Sequence, residues 1–158
     1  GRLAMADEMR GLTVRPPWSH LIARCGKSIE NRSWPTRYRG LVAVHAGTRW
    51  DAAAERDPVA LKAWRDWSVT LPRPNITGPL RRSAIHVDLG AVVAVAELAG
   101  CHYPDGFLCS EWARPDSWHW QLTGVRPLRD PVPCRGALGL WRLPEDVEAA
   151  VRAQLEDG

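Results

Sequence analysis

The chain has 158 residues, 45% of them apolar and 25% charged, with 21 Lys and Arg against 18 Asp and Glu. That length and balance fit one globular domain with a real core and exclude a wholly disordered chain. No apolar run approaches the roughly 20 residues that a bilayer demands, so no membrane span is expected.

Gly11–Arg15 reads as a short strand, stopped by Pro16-Pro17. Trp18, Leu21, Ile22 and Cys25 then recur at i, i+3, i+4 and i+7, one apolar face of a helix. Pro17 suits the first helical position and Gly26 the position just past the end. Lys27–Tyr38 is polar and irregular, and Arg39–Ala46 is a buried strand. Trp50–Val69 is helical, split at Asp57-Pro58, with Asp57 capping the second part and Leu61, Trp64 and Trp67 or Ser68 forming its stripe. Leu71–Arg82, with three prolines, is a loop.

Ser83–Leu89 leads into Gly90–Ala99, the most strand-like run of the chain. Cys101–Ser117 is an excursion. Trp118–Leu122 alternates as a half-buried strand. Val125–Leu128, Val132–Arg135 and Ala137–Leu143 are three further short strands. Pro144 opens a last helix in which Val147, Val151 and Leu155 repeat at i, i+4 and i+8. Five to seven short strands with interrupting helices predict an α+β domain on a small mixed β-barrel.

Charge is unevenly spread. Residues 11–49 hold Arg15, Arg24, Lys27, Arg32, Arg37, Arg39 and Arg49 against Glu30 alone, a net of +6, whereas residues 144–158 net −4. A basic front segment of this density attracts polyanions or is simply a solvated face. The aromatic content is skewed as well: 9 Trp against 2 Tyr and 1 Phe. No Gly-rich phosphate loop, dinucleotide fingerprint, nucleophile elbow or paired carboxylates stand out. Cys25, Cys101, Cys109 and Cys134 show no CxxC spacing and read as free thiols of a cytoplasmic protein. Cys101, His102 and Cys109 match no standard zinc pattern, so neither metal nor cofactor is expected.

The segment Leu12–Ala46 carries a more specific pattern. Lys27, Glu30 and Arg32 follow the first helix in the arrangement Lys-x-x-Glu-x-Arg, preceded by Arg15-Pro16-Pro17-Trp18 and followed by Asn31–Pro35 and Tyr38-Arg39-Gly40. With Gly90–Leu98, Trp120–Leu122, Val125–Leu128 and Gly136–Trp141, this set resembles the ASCH family over residues 11–143. The family's opening Gly is replaced by Cys25, with Gly26 beside it. The resemblance implies a PUA-like barrel of residues 11–143; around it the sequence is read as an N-terminal extension (1–10, with Met5 the expected native start) and an acidic helix (144–158). It also implies a cleft between the barrel and the first helices, and RNA or DNA as partner.

Lys27, Glu30 and Arg32 have the chemistry of a base pocket. A carboxylate between two cations accepts from an exocyclic amine, the cations hold a phosphate or carbonyl, and Trp34 or Trp18 stacks on the base. Trp34 in its polar loop is the better placed of the two, because Trp18 lies on the apolar helix face. Trp118 and Trp120 share one face of their strand, toward either core or cleft. Trp64, Trp67 and Trp141 read as packing. Arg37, Arg39, Arg81, Arg82 and Trp118 complete the candidate nucleic-acid contacts. Glu97, a charge within an apolar strand, either faces the cleft as a base or sits at an exposed strand end, and His45 either meets the cleft or is structural.

Three functions follow. The first is a nucleic-acid-binding module that recognises a modified or flipped base. The second is an amidohydrolase of an N4-acylated cytosine nucleoside, with Lys27, Glu30 and Glu97 as its candidate catalytic groups, or a weak ribonuclease. The family's small amidohydrolases carry Thr where this chain has Glu30, which counts against that activity. The third is a protein-interaction domain.

Overall fold

A computed structural model describes residues 7–72, 78–82 and 89–157. The expected native start at Met5, the middle of the Pro-rich loop and the lead-in at 83–88 lie outside the described residues. Six strands form one mixed sheet that curls into a half-barrel. They are β1 (Met9–Val14), β2 (Ile29–Arg32), β3 (Gly40–Ala46), β4 (Ala91–His102), β5 (Trp118–Pro133) and β6 (Leu140–Trp141). Their order across the sheet is β2-β5-β4-β3-β1-β6, and of these pairs β1 and β3 run parallel while the rest are antiparallel. The helices are α1 (Trp18–Arg24), α2 (Pro58–Ser68) and α3 (Glu145–Glu156), with a 3-10 turn at Ala52–Arg56.

The sheet is apolar on both faces, which is why β3 reads as a continuous apolar run rather than an alternating one. Leu41 and Ala43 point to one side, where Met9, Val92, Val95 and Leu128 meet Val147, Val151 and Leu155 of α3. Val42 and Val44 point to the other side, packing with Leu12, Val14, Leu98, Trp120 and Ile22 of α1. A third cluster ties the helices to the excursion loop, through Leu21, Ile29, Ala60, Trp64 and Trp112.

Several expected boundaries hold. α1 ends at Cys25, and Gly26 at φ +78° follows in the left-handed conformation. The Asp57 carboxylate accepts from the Val59 and Ala60 amides, so α2 starts where its cap places it. Others are corrected. Lys27–Tyr38 is not wholly irregular: Ile29–Arg32 is an edge strand paired with Trp118–Gln121. The three runs expected between Trp118 and Arg135 are one 16-residue strand, long enough to reach every part of β4. Its register on β4 shifts at three places; the first leaves 128–131, with Pro131, out of the pairing, and such bulges bend a sheet. Of Ala137–Leu143, only Leu140–Trp141 is strand.

Candidate functional site

The sequence from α1 into β2 builds the floor of a cleft of about 500 Å³. Cys25 caps α1, and the Lys27 amide donates back to the Leu21 carbonyl, turning the chain sharply under the helix. β2 then presents Glu30 and Arg32 two residues apart, on one face of the strand. Arg32 Nη2 reaches Glu30 Oε2 at 2.7 Å and donates to the Thr13 carbonyl at 2.9 Å. Lys27 Nζ stands 3.7 Å from Glu30 Oε1 and also donates to the Ile29 carbonyl. The three residues of the Lys-x-x-Glu-x-Arg pattern therefore meet, with the carboxylate held between two cations.

Lys27 is only 3% exposed. Burial pushes its pKa below the ordinary lysine value, against the opposing pull of the Glu30 carboxylate. The ammonium also lies over two rings, 5.5 Å from the centre of Trp18 and 5.8 Å from that of Trp112. Both contacts are within the range in which a ring face attracts a cation.

Trp18, Trp34 and Trp112 line the cleft. Trp34 is half-buried and meets Trp120 edge-on at 4.6 Å, while Trp120 Nε1 donates to the Trp34 carbonyl at 3.1 Å. Trp120 is fully buried behind it, so Trp120 is core and braces the ring that lines the cleft. Trp18 does both things that the sequence allowed: it packs against the core clusters on the α1 side and, half-buried, lines the cleft. Its indole Nε1 donates to Asp51 Oδ2 at 2.8 Å. Burial raises the Asp51 pKa, but the Trp18 and Ala53 N–H donors and the charges of Arg15 and Arg114 outweigh it, leaving that pKa below the usual value. The Arg114 guanidinium also lies over the Trp18 ring, 5.4 Å from its centre.

The opposite wall comes from the excursion, residues 111–115. Asn31 fastens it to β2: its side-chain amide donates to the Trp112 carbonyl at 2.9 Å and its oxygen accepts from the Arg114 amide at 2.9 Å. Asp51, Trp112 and Arg114 escaped the reading of the sequence, because they come from segments remote from the Lys27 loop and carry no local motif. The lining holds four cations, Arg15, Lys27, Arg32 and Arg114, and four carboxylates, Glu30, Asp51, Asp57 and Glu111. It is thus a zwitterionic, Trp-walled slot and not a basic funnel. Such a lining offers both donors and acceptors to a flat polar ligand.

The remaining candidates lie elsewhere. Glu97 is exposed on β4, paired across to Leu41 and Thr123, and does not line the cleft, so it cannot act there as a base. Trp118 packs against Tyr103 at 5.3 Å, outside the cleft lining. Arg37, Arg39, Arg81 and Arg82 are exposed outside the slot; Arg39 donates to the carbonyls of Thr36 and Tyr38. His45 is buried with Nε2 2.8 Å from the Cys134 carbonyl and its ring edge-on to Trp141, a structural placement beside a separate groove. The four cysteines are free thiols. No helix among the described residues is long and apolar enough to cross a membrane. Comparison with known proteins returns no matching family model and no matching curated protein.

Proposed function

We propose that the chain is a PUA-like domain of the ASCH type that binds nucleic acid by taking a single-stranded or flipped base into the Trp18–Trp34 cleft. The observation that carries this reading is the Lys27–Glu30–Arg32 cluster on the floor of a slot walled by tryptophans. Glu30 accepts from the exocyclic amine of cytosine or adenine, and Lys27 or Arg32 holds the neighbouring carbonyl oxygen. Trp34 or Trp18 covers the base face. The balanced lining suits a base better than a bare phosphate. The exposed Arg37, Arg39, Arg81 and Arg82 are then left to the backbone.

Fluorescence anisotropy with labelled single-stranded RNA and DNA, unmodified and carrying methylated or acetylated cytosine and adenine, tests the reading. Salt-sensitive binding that favours one base or modification, and is lost in Glu30→Gln, supports it. No binding of any strand at low salt overturns it.

A second reading draws on the buried Lys27 beside Glu30, since a desolvated amine next to a carboxylate can carry a proton. In that reading the domain deacylates an N4-acylated cytosine nucleoside. Glu30 stands where the small amidohydrolases of the resembled family carry Thr, so the binding reading is preferred. Release of cytidine from N4-acetylcytidine, lost in Lys27→Met, would reverse that preference.

A further inference from the structure

Outside the cleft, the excursion closes on itself through three side chains that the sequence spacing does not group. β4 and β5 pair His102 directly opposite His119. Residues directly opposite in an antiparallel pair bring their side chains within contact distance. The two rings stand edge to face with centres 5.2 Å apart, and His119 Nδ1 lies 3.4 Å from His102 Nε2. The loop between these strands then returns Cys109, whose Sγ is 3.6 Å from the same His119 Nδ1. The three ligand atoms all fall within 4.8 Å of one another.

The protonation of His119 follows from its other nitrogen. Nε2 lies 2.6 Å from the Arg114 carbonyl, which can only accept, so Nε2 carries the proton. In the neutral ring Nδ1 therefore offers a lone pair, and it faces both His102 and Cys109. One lone pair cannot serve two hydrogen-bond donors well. A single cation at the common focus of the three atoms satisfies all of them. A carbonyl on the far nitrogen is also the usual outer partner of a metal-bound histidine, fixing its tautomer and orientation. His119 is fully buried, which holds that orientation, while the exposed Cys109 leaves the ion a route from solvent.

We propose that His102, Cys109 and His119 form a binding site for a zinc-class divalent ion, with the fourth position open to solvent. Two imidazoles and a thiolate are borderline-to-soft ligands that suit zinc and not calcium or magnesium, which take oxygen. Tetrahedral zinc with its ordinary bond lengths separates two nitrogens by about 3.3 Å and a nitrogen from a sulfur by about 3.6 Å, close to the spacings around His119. Binding forms metal–nitrogen and metal–sulfur bonds and releases the Cys109 thiol proton to solvent, with no redox change. The ion braces residues 103–117. Because His119 holds the Arg114 carbonyl, it also stiffens the wall of the cleft opposite β2. The site does not rest on the nucleic-acid reading and stands or falls without it.

The 158-residue chain stripped with a chelator and titrated with cobalt(II), then with zinc(II), tests the proposal. The expected result is one cobalt per chain, with thiolate-to-cobalt charge transfer and tetrahedral ligand-field bands that zinc erases. Cys109→Ala, at an exposed position, loses the charge-transfer band, and His102→Ala weakens cobalt binding at least tenfold. Zinc raises the melting temperature of the wild type and not that of Cys109→Ala. A titration without charge transfer, or a band that survives in Cys109→Ala, overturns the site. Circular dichroism of the two variants shows that the loss is not one of folding.

Discussion

The guanidinium of Arg32 and the carboxylate of Glu30 meet at 2.7 Å on the floor of the cleft, two residues apart on an edge strand. Neighbours at i and i+2 share a face of a strand, so the contact is local in origin. Its surroundings are not local, because Thr13 of β1 holds the guanidinium from the far side. The contact therefore joins the site to the centre of the fold.

Removing the Glu30 charge leaves Lys27 buried without its partner. Breaking a buried ion pair from one side costs about 3–5 kcal/mol. Glu30→Gln is expected near the low end, about 3 kcal/mol, because Lys27 can shed its proton and Gln still accepts from Arg32. Urea denaturation of wild type and variant at neutral pH measures it. A loss below about 1 kcal/mol, the range of exposed pairs, would mean that the cluster is effectively solvated.

His20 supplies a pH dependence. It lies edge-on to Trp64 and Trp67, and burial, then the Arg24 charge, lowers its pKa from 6.5 to about 4. The folded state therefore resists protonating this ring, while the unfolded chain accepts the proton. The contribution to stability is fully present above pH 6.5 and is lost as the pH falls toward 4. Its size is on the order of 3 kcal/mol. His20→Phe keeps an aromatic ring against the two indoles and removes the titration. Urea midpoints at about pH 7, above that window, and at about pH 4.5, near its lower end, are expected to differ less in the variant than in the wild type. Equal differences would discard the assignment.

Gly11 faces the Trp141 ring across β1 and β6, and a Cβ built there falls 2.5 Å from the indole. Gly11→Ala forces the ring or the short strand β6 to move. Overpacking of this kind costs about 1–3 kcal/mol. A lowered thermal midpoint together with a changed Trp141 environment in near-ultraviolet circular dichroism checks it.

Trp34→Ala separates stacking from the fold. The carbonyl that holds Trp120 is main chain and survives the substitution. Stacking on an aromatic contributes roughly 1–3 kcal/mol per base, so affinity for a bound oligonucleotide is expected to fall about tenfold or more. Anisotropy titration reads the change, and an unaltered affinity would place the base elsewhere.

The four exposed arginines are distinguished from the cleft by salt. Replacing Arg37, Arg39, Arg81 and Arg82 with Ala is expected to reduce the slope of log affinity against log salt by about one for each phosphate that an arginine no longer neutralises. Base preference is expected to stay unchanged. A wild-type slope would show that the backbone runs over another face.

Local signals were legible wherever a residue acts through its own neighbours. Asp57 caps α2 because a cap needs only the next two or three amides. The buried run of β3 and the stripe of α3 follow from periodicity. Lys27, Glu30 and Arg32 lie close enough in the chain to meet on the loop and strand that carry them. What the sequence alone determined is therefore the α+β character, most elements and the polar core of the candidate site.

Pairing decided the rest. Register shifts between β4 and β5 turned three expected strands into one and curled the sheet, and no local propensity specifies such a register. The curl left Glu97 on the outside and brought Asp51, Trp112 and Arg114 into one cleft with Trp18, whose ring packs on the core and forms a wall of the cleft as well. The same β4–β5 pairing set His102 opposite His119 and let the loop carry Cys109 back to them. A spacing pattern cannot show that cluster, because its members meet only through the β4–β5 pairing and the path of the loop between those strands. Contacts within a turn of the chain are written in the order of residues, and contacts between strands depend on the register that the whole sheet selects when it buries both faces.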